Sequence, residues 1–498
     1  MKASEIVVFV LYLIFMLSIG VYFFVKNKSG GEKTYFLGGR QMGPWVTALS
    51  AGASDMSAWV LMGLPTSIYA LGVGQVWISV GLAIGYTISW LVEAPRLRRF
   101  SIVAGDAITI PQYLTNRFLA KSRALQILCA VIFLVAYTVY AASSIKACGT
   151  LFNTVIGMDA TAAMYLAAII IISYTFLGGF SAVCWTDFFQ GMLMLGALLI
   201  APIFAAFMLK GHGVSEMPAG YWNAFASWKD VVSGLGWGLG YFGMPHIIIR
   251  FMSLESQKSL KKSAKIGISW TLLIVIFAAL VGIIGRLFLG YDESINANSL
   301  VFITMVRKIF PGVISGILLS AVLAASMSTA DSQLLAAASA FASDVYKPVL
   351  RKNKASEKEM LWAGRFVVLA ISIIALLIAS NPNAGSIMSL VSNAWGVFGA
   401  MLLRECSARP SARPSCSACS GSALTSRVPS RVSRWARSSM SAGCSCCPPR
   451  ASMRSSPASS RACSPPSSPP CARRSPMPTS RPSTTAPWPT RSKISYFT

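Results

Sequence analysis

Eleven long apolar segments follow one another along this chain and constrain its fold more than any other feature. A membrane-spanning α-helix needs about 20 mostly apolar residues, because each residue advances about 1.5 Å through a hydrocarbon layer about 30 Å thick. Only 12% of the 498 residues are charged, whereas soluble proteins carry about 25%. We therefore predict an all-α protein that crosses the membrane repeatedly, with spans at residues 6–25, 44–71, 76–94, 125–147, 160–177, 188–209, 231–252, 266–289, 311–341, 361–380 and 386–403.

The positive charges of the connecting segments lie mainly on one side of the predicted membrane. If the N-terminus is outside, the connections after odd-numbered spans carry 21 Lys and Arg residues, including Arg250 and Arg365, against 7 on the opposite side. Cytoplasmic loops hold the excess of basic residues in membrane proteins, and there they also meet anionic lipid of the bilayer. The asymmetry predicts an external N-terminus. The first segment lacks a small-residue cleavage site, so we interpret it as a span and not as a signal peptide.

The composition changes abruptly after Leu403, within the last predicted span. Residues 404–498 contain 15 Lys and Arg residues but only one acidic residue, Glu405, together with eight of the 11 cysteines and 15 of the 25 prolines. Such a segment cannot bury enough apolar surface to fold. It could be a disordered basic cytoplasmic tail, a nucleic-acid-binding tail or a translation in a shifted reading frame, and we favour the third interpretation.

A shifted frame explains the residue types of this tail. Codons for apolar residues mostly have T in the second position, and moving that T to the first position gives Ser and Cys, while GC-rich neighbours give Pro, Arg and Ala. Aromatic residues are too few to interleave with the basic ones, so no nucleic-acid partner is expected. The cysteines lack a nearby histidine, which argues against a zinc site. We predict a transmembrane core over residues 1–403, with its last helix truncated, and a disordered tail over residues 404–498.

Asp55 is the only charged residue in the apolar segment 44–71 and falls near the middle of the hydrocarbon layer. A carboxylate at that depth costs about 3 kcal/mol or more, and it marks a candidate functional site. Its neighbours Gly52, Ser54 and Ser57 are weak helix formers, so we predict that the helix is broken here. Carbonyl groups exposed by a break persist in a membrane only where they line a cavity or hold an ion. The residue and its setting predict ion-coupled transport.

A second segment with the same unusual composition lies in span 231–252. It contains five glycines and a proline within residues 234–246, which disfavours a continuous helix. Trp237 and Tyr241 are four residues apart and share one helical face. The pattern favours aromatic walls around a ligand, and close glycine-mediated packing between helices is the alternative.

Span 311–341 carries a stripe of small residues that includes Ala325, Ser328 and Ser332. Small residues at this spacing favour close helix packing, and their oxygen atoms are also suitable ligands for Na⁺. A second membrane carboxylate, Asp331, favours the Na⁺ alternative. Spans 44–71 and 231–252 are five spans apart, and each would open a unit of five helices. Paired interrupted helices of this kind are typical of inverted-repeat transporters with a site near the midplane.

Three motifs resemble one known family closely. The segments are GGRQMGPWVTALSAGASDMSAWVLMGLP (38–65), GWGLGYFGMPH (236–246) and LLSAVLAASMSTADSQLL (318–335), and the likeness to the sodium:solute symporter family extends over about residues 5–400. The resemblance implies a LeuT-type five-plus-five inverted repeat with an extra N-terminal helix. It also implies Na⁺-coupled uptake of L-proline by alternating access across a bacterial cytoplasmic membrane. Family members continue span 386–403 and add two further helices, where this chain has the basic tail.

The resemblance also assigns roles to individual residues. It implies that Na⁺ is bound by the backbone carbonyls of Ala53, Met56 and Ala325 and by the hydroxyls of Ser328 and Thr329, with Asp55 supporting Na⁺ affinity from beside the break. It implies a solute site formed by Ser57, Trp59, Tyr140, Trp237, Tyr241 and Pro245. It matches Arg40 and Asp187, expected at cytoplasmic helix ends, to positions tied to coupling and gating.

Other functions remain open from the sequence. The nearest alternative is a Na⁺ symporter for another small carboxylated solute, such as pantothenate or a different amino acid. A membrane sensor with a transporter-like domain would need a folded cytoplasmic catalytic or phospho-acceptor domain, and residues 404–498 do not provide one. An enzyme is not expected, since no catalytic dyad or cofactor motif is apparent.

Overall fold

The computed structural model describes residues 3–27, 31–120, 122–209, 216–381, 390–391 and 395–396, and within them helices dominate. Seven helices of this part are long and apolar enough to cross a membrane. Most of predicted span 386–403 and all of the tail 404–498 lie outside the described residues. The helices are α1 (Ala3–Lys26), α2 (Glu32–Leu37), α3 (Pro44–Ala53), α4 (Leu64–Leu71), α5 (Val76–Ile88), α6 (Ala94–Val103), α7 (Ile110–Arg117), α8 (Ala124–Ile156), α9 (Ala160–Leu209), α10 (Trp228–Trp237), α11 (Pro245–Ser253), α12 (Ser259–Leu289), α13 (Glu293–Ala297), α14 (Val301–Ile309), α15 (Gly312–Phe341) and α16 (Glu357–Ser380).

The two predicted helix breaks are present. In the first, α3 ends at Ala53, and a turn and extended residues precede a π-helical segment, Trp59–Gly63, that leads into α4. In the second, α10 passes into a 3₁₀ segment, Gly238–Phe242, before α11 begins. Regular α-helical hydrogen bonding is therefore interrupted at mid-length in both helices, as the weak helix formers in the sequence indicated.

One predicted connection is absent. Residues 178–187 were expected to join two spans, but helical structure continues from residue 160 to residue 209 with a kink at Gly179, where φ is 60° and ψ is −158°. Only glycine tolerates this conformation readily, and a β-carbon there would lie 2.5 Å from the ring of Tyr35. A single glycine thus replaces a loop, and Asp187 lies about two turns inside the second helical part instead of at a helix end.

Helix α15 forms the centre of the molecule. It packs against α1, α8, α9 and α16, and its residues from 318 to 340 are all buried. Helix α3 packs against α9 and α12 and approaches α15 at the level of the first break. The hydroxyl-bearing face of α15 is therefore placed beside the backbone carbonyl of Ala53, at the break in the first helix.

Glycines bring α5 and the second broken helix into direct backbone contact. A β-carbon at Gly81 would lie 2.1 Å from the carbonyl oxygen of Gly234, and one at Gly85 would lie 2.1 Å from that of Gly238. No side chain could relieve these clashes, because the opposing atoms belong to the backbone. The glycine-mediated packing that the sequence suggested for this segment is therefore real.

We expect Gly85→Ala to destabilise the protein by about 1–3 kcal/mol, the usual cost of overpacking. The measurement is the unfolding temperature of the purified protein in detergent. Gly196→Ala is the matched control, because a β-carbon at Gly196 meets no atom within 4 Å and alanine has the higher helix propensity. Equal unfolding temperatures for the two variants would contradict the observed contact.

Candidate functional site

Four of the five groups expected to bind Na⁺ meet where the first broken helix faces α15. The hydroxyl of Ser328 donates to the carbonyl of Ala53 at 2.8 Å and to that of Ala325 at 3.2 Å. The hydroxyl of Thr329 donates to the carbonyl of Ala325 at 3.2 Å. The fifth residue, Met56, is buried in the same break. The structure thus gathers neutral oxygen atoms, which are the ligands that hard cations prefer.

Asp55 lies at the break and is fully buried. Its Oδ2 atom accepts a hydrogen bond of 2.5 Å from the hydroxyl of Tyr241, while its Oδ1 atom has no hydrogen-bond partner among the described residues. No basic side chain in this part of the chain forms an ion pair with it. Since an unpaired charge is costly in a low-dielectric interior, the carboxylate favours a cation in the neighbouring oxygen cluster.

Aromatic rings from both broken helices form one cluster next to Asp55. The ring centroids of Trp59 and Trp237 are 5.8 Å apart, and Trp395 lies 5.5 Å from Trp237 and 5.6 Å from Tyr241. The indole N–H of Trp395 donates to the hydroxyl of Tyr140 at 3.2 Å. Four of the six residues predicted to surround the solute therefore belong to a single aromatic cluster.

The two remaining predicted solute residues lie at the backbone breaks. Ser57 is buried between α3 and the segment that leads into α4, and its amide donates to the carbonyl of Asp55 at 2.8 Å. Pro245 is the buried first residue of α11, where the absence of an amide hydrogen does not cost a helical hydrogen bond. Ser57 thus lies in the first backbone break, and Pro245 begins the helix that follows the second.

Trp395 was not predicted as a site residue. It lies within predicted span 386–403 as the only tryptophan there, and a β-carbon at Gly240 would lie 2.0 Å from its ring. The cue in the sequence was a large aromatic residue between the small residues Ala394 and Gly396. Its pairing with a glycine of a distant helix depends on tertiary packing, which the spacing of residues does not reveal.

Arg250 is a second unpredicted residue. The charge count placed it in a cytoplasmic connection, yet it is only 1% exposed. It forms an ion pair of 2.8 Å with Asp187, which is fully buried. An arginine buried to this degree needs an acidic partner, and Asp187 provides it.

Serine hydroxyls extend this buried ion pair to the central helix. Ser50 accepts from the Nε of Arg250 and donates to Asp187, both at 2.6 Å. The Nη2 of Arg250 also donates to the hydroxyl of Ser332 at 2.6 Å, and Ser332 donates to Asp331 at 3.1 Å. The network therefore connects both broken helices with α9 and α15, one turn of α15 away from the Na⁺ candidate residues.

Arg40 belongs to a different network, at the ends of the two broken helices. It has a φ of 58°, and its guanidinium donates to Asp106 at 2.9 Å and to the carbonyls of Met252 at 2.6 Å and Ala107 at 2.8 Å. Burial would raise the pKa of Asp106, but hydrogen bonding from Lys33 and the charge of Arg40 outweigh it and hold that pKa below its usual value. The arginine thus links the segment before α3 to the end of α11.

The chain is similar to curated symporters and to solved structures of Na⁺-coupled transporters. The sodium/proline symporters of Staphylococcus aureus strains USA300 / TCH1516 and MSSA476 are each 44% identical over 398 residues, which cover 78% of this chain and 77% of the relative. A substrate-bound, outward-open Na⁺-coupled sialic acid symporter matches with a TM-score of 0.64 at 19% identity, over 79% of this chain and 86% of that one.

The transporter MhsT, solved with L-phenylalanine, matches with a TM-score of 0.51 at 15% identity, over 72% of this chain and 87% of that one. These structural matches confirm the predicted LeuT-type fold. The sequence pattern that defines the sodium:solute symporters matches residues 35–404. The protein is thus an integral membrane transporter and not an enzyme, and it belongs to the sodium:solute symporter family.

Proposed function

We propose that this protein takes up L-proline together with Na⁺ across a bacterial cytoplasmic membrane, with its N-terminus outside. The contact between Ser328 and the carbonyl of Ala53 carries the proposal, because it brings oxygen ligands from two helices to the first break. The curated relatives named sodium/proline symporters support the choice of solute. The excess of basic residues in the connections after odd-numbered spans supports the orientation.

In the proposed mechanism, Na⁺ enters between the first broken helix and α15. The hydroxyls of Ser328 and Thr329 now donate to the carbonyls of Ala53 and Ala325. With Na⁺ present, these hydroxyls would turn their lone pairs toward the ion, and the carbonyls would bind it as well. The negative charge of Asp55 would raise Na⁺ affinity from beside the break without direct coordination.

The solute would lie between the broken helices and the aromatic cluster. Indole rings of Trp59, Trp237 and Trp395 offer apolar surface for a pyrrolidine ring. The helical segment that starts at Trp59 directs the positive end of its dipole toward the break, which favours the carboxylate of an amino acid. Na⁺ and solute would therefore stabilise the same arrangement of the first broken helix, which is the requirement for coupling.

One Na⁺ per solute molecule would supply a substantial driving force for uptake. A single Na⁺ moving down about 100 mV contributes about 2.3 kcal/mol, and a tenfold gradient adds about 1.4 kcal/mol. Together these terms would concentrate the solute by a few hundred-fold, since every 1.4 kcal/mol is about tenfold.

We assign coupling roles to Arg40 and Asp187. Arg40 ties the segment before α3 to the end of α11, so its release would allow the cytoplasmic ends of both broken helices to separate. Asp187 holds Arg250 beside Ser332, one turn of α15 from the Na⁺ candidate Ser328. The pair would transmit a displacement of α15 to α11.

We also propose that residues 1–403 form the transport domain and that residues 404–498 arise from a shifted reading frame. The family match ends at residue 404, next to the composition change at Leu403. Reading the other frames of the gene tests this proposal directly. If neither frame encodes apolar spans after codon 403, the shifted-frame interpretation is wrong.

The first prediction concerns function itself. Labelled L-proline should bind the protein in liposomes only when Na⁺ is present, and a Na⁺ gradient should drive its accumulation. Unlabelled pantothenate and other amino acids serve as competitors. Strong competition by one of these, with weak competition by proline, would replace the proposed solute while leaving Na⁺ coupling intact.

Asp55→Asn should weaken Na⁺ affinity by about tenfold or more, equivalent to about 1.4 kcal/mol, because the charge beside the oxygen cluster is lost. The measurement is the Na⁺ concentration that gives half-maximal proline binding. Asp230→Asn, in the first turn of α10, removes a carboxylate remote from the break and should leave that concentration unchanged. Unchanged Na⁺ affinity in Asp55→Asn would refute the site.

Arg250→Met should lower the free energy of unfolding by about 3–5 kcal/mol, because Asp187 is left buried without its partner. The double variant Arg250→Met with Asp187→Leu should be more stable than Arg250→Met alone. If the pair couples α15 to α11, the double variant should still lack Na⁺-driven uptake. Recovery of uptake along with stability would show that the pair acts only in folding.

A further inference from the structure

Arg286 lies in the last turn of α12, at the outer end in the proposed orientation. It is only 8% exposed, yet its Nε and Nη1 atoms have no hydrogen-bond partner among the residues that the structure describes. It also forms no ion pair with a carboxylate in that part of the chain. Buried N–H donors that lack an acceptor are costly, more so on a charged group. The guanidinium therefore has unused capacity to bind an anion.

The aromatic rings that contact Arg286 stabilise its charge through their π faces, while its Nε and Nη1 atoms stay without an acceptor among the described residues. The guanidinium lies 4.4 Å from the ring centroid of Tyr291 and 5.4 Å from that of Tyr69. These π faces and the negative end of the helix dipole favour a cation here. A guanidinium, however, has five N–H donors arranged in a plane. The donors on Nε and Nη1 remain available, and such donors recognise a carboxylate.

The nearest acidic residues in the sequence are engaged elsewhere. Asp292 caps the N-terminus of α13 by accepting from the amide of Ser294 at 2.8 Å. The carboxylate of Glu293 accepts a hydrogen bond of 2.6 Å from the hydroxyl of Tyr291. Neither local carboxylate accepts from the Nε or Nη1 of Arg286 in the part of the chain that the structure describes, so these donors are available to an anion.

A second unpartnered donor comes from the segment before α10. Tyr221 is 2% exposed, and its hydroxyl has no hydrogen-bond partner in the described parts of the chain. Burial raises the pKa of Tyr221 to about 12, with the charge of nearby Arg286 acting in the opposite direction, so the hydroxyl stays protonated and can donate. Its carbonyl accepts from the amide of Val73 at 2.9 Å, which holds this segment against the end of α4.

We propose that Arg286 and Tyr221 form an outer binding site for a small monovalent anion, either the carboxylate of the incoming solute or free chloride. The proposal rests on the proposed orientation and solute class. Arginine suits this chemistry because its planar fork matches a carboxylate in two hydrogen bonds. The half-exposed ring of Tyr291 covers the guanidinium on the outer side, so an anion would enter by displacing this ring.

The site lies next to the half-helix that leads to the central cluster. Tyr69 lies in the last turn of α4, and its hydroxyl donates to the carbonyl of Gly290 at 2.5 Å and accepts from the amide of Asp292 at 2.8 Å. The opposite end of the same segment is the break that contains Asp55. An anion held by Arg286 would therefore be retained at the outer end of α4, one half-helix away from the solute site.

The test measures the unfolding temperature of the purified full chain at constant Na⁺ and without proline. The counter-anion is chloride, acetate or, for comparison, a bulky sulfonate. Chloride and acetate should raise the unfolding temperature saturably, by about 2 °C or more. Arg286→Met should abolish this rise, while Arg286→Lys and Tyr221→Phe should weaken it. Lys308→Met, which removes an exposed cation from the end of α14, should leave it unchanged. An identical rise in Arg286→Met, or no rise in the unaltered protein, would overturn the proposal.

Proline uptake at constant Na⁺ distinguishes the two anion sources. If the solute carboxylate occupies the site, chloride should raise KM by competition, and Arg286→Lys should raise KM severalfold with kcat unchanged. If chloride is the ligand, its replacement by the sulfonate should lower uptake in the unaltered protein but not in Arg286→Lys. If the protein does not bind proline in a Na⁺-dependent way but anions still raise its unfolding temperature, the proposed function is wrong and the anion site stands.

Discussion

The hydrogen bond from Ser328 to the carbonyl of Ala53 is the interaction on which the rest of the site depends. A membrane helix that stops at mid-depth leaves backbone groups without partners, and hydrocarbon offers them none. Helix α15 supplies a hydroxyl at that level, so the carbonyl of Ala53 has a partner within the protein. The same oxygen atoms are then available to a cation, because a hydroxyl can either donate to a carbonyl or accept an ion. The contact that satisfies the broken helix thus also provides the oxygen ligands proposed for Na⁺.

Local composition predicted the features that depend on backbone preference. Weak helix formers around Asp55 predicted the first break, and the glycines of residues 234–246 predicted the second. The prediction of a loop at residues 178–187 was wrong. A kink at one glycine with positive φ connects the two helical parts, so no polar loop is needed. The candidate Na⁺ and solute residues came from the family resemblance, and the structure brings most of them together.

Residues defined by long-range pairing could not be predicted. From the sequence, Arg250 was assigned to a cytoplasmic connection. Its burial depends on the short helix α11 and on an acidic partner 63 residues earlier, which the sequence does not reveal. Trp395 joins the aromatic cluster through its contact with Gly240. In both cases the sequence does not show which distant residue is the partner. Charge counts for membrane orientation are therefore weakest near broken helices, where basic residues can remain inside the protein.

The glycine contact between α5 and α10 has a mechanical consequence. Packed helices normally interlock through side chains that form ridges and grooves, and such surfaces have a few discrete arrangements. Where Gly81 and Gly85 face Gly234 and Gly238, two smooth backbone surfaces meet without interlocking. A displacement of the half-helix that carries Trp237 along α5 would therefore disturb few interlocked side chains at this contact. The same close contact would thus hold the two helices together and permit this displacement.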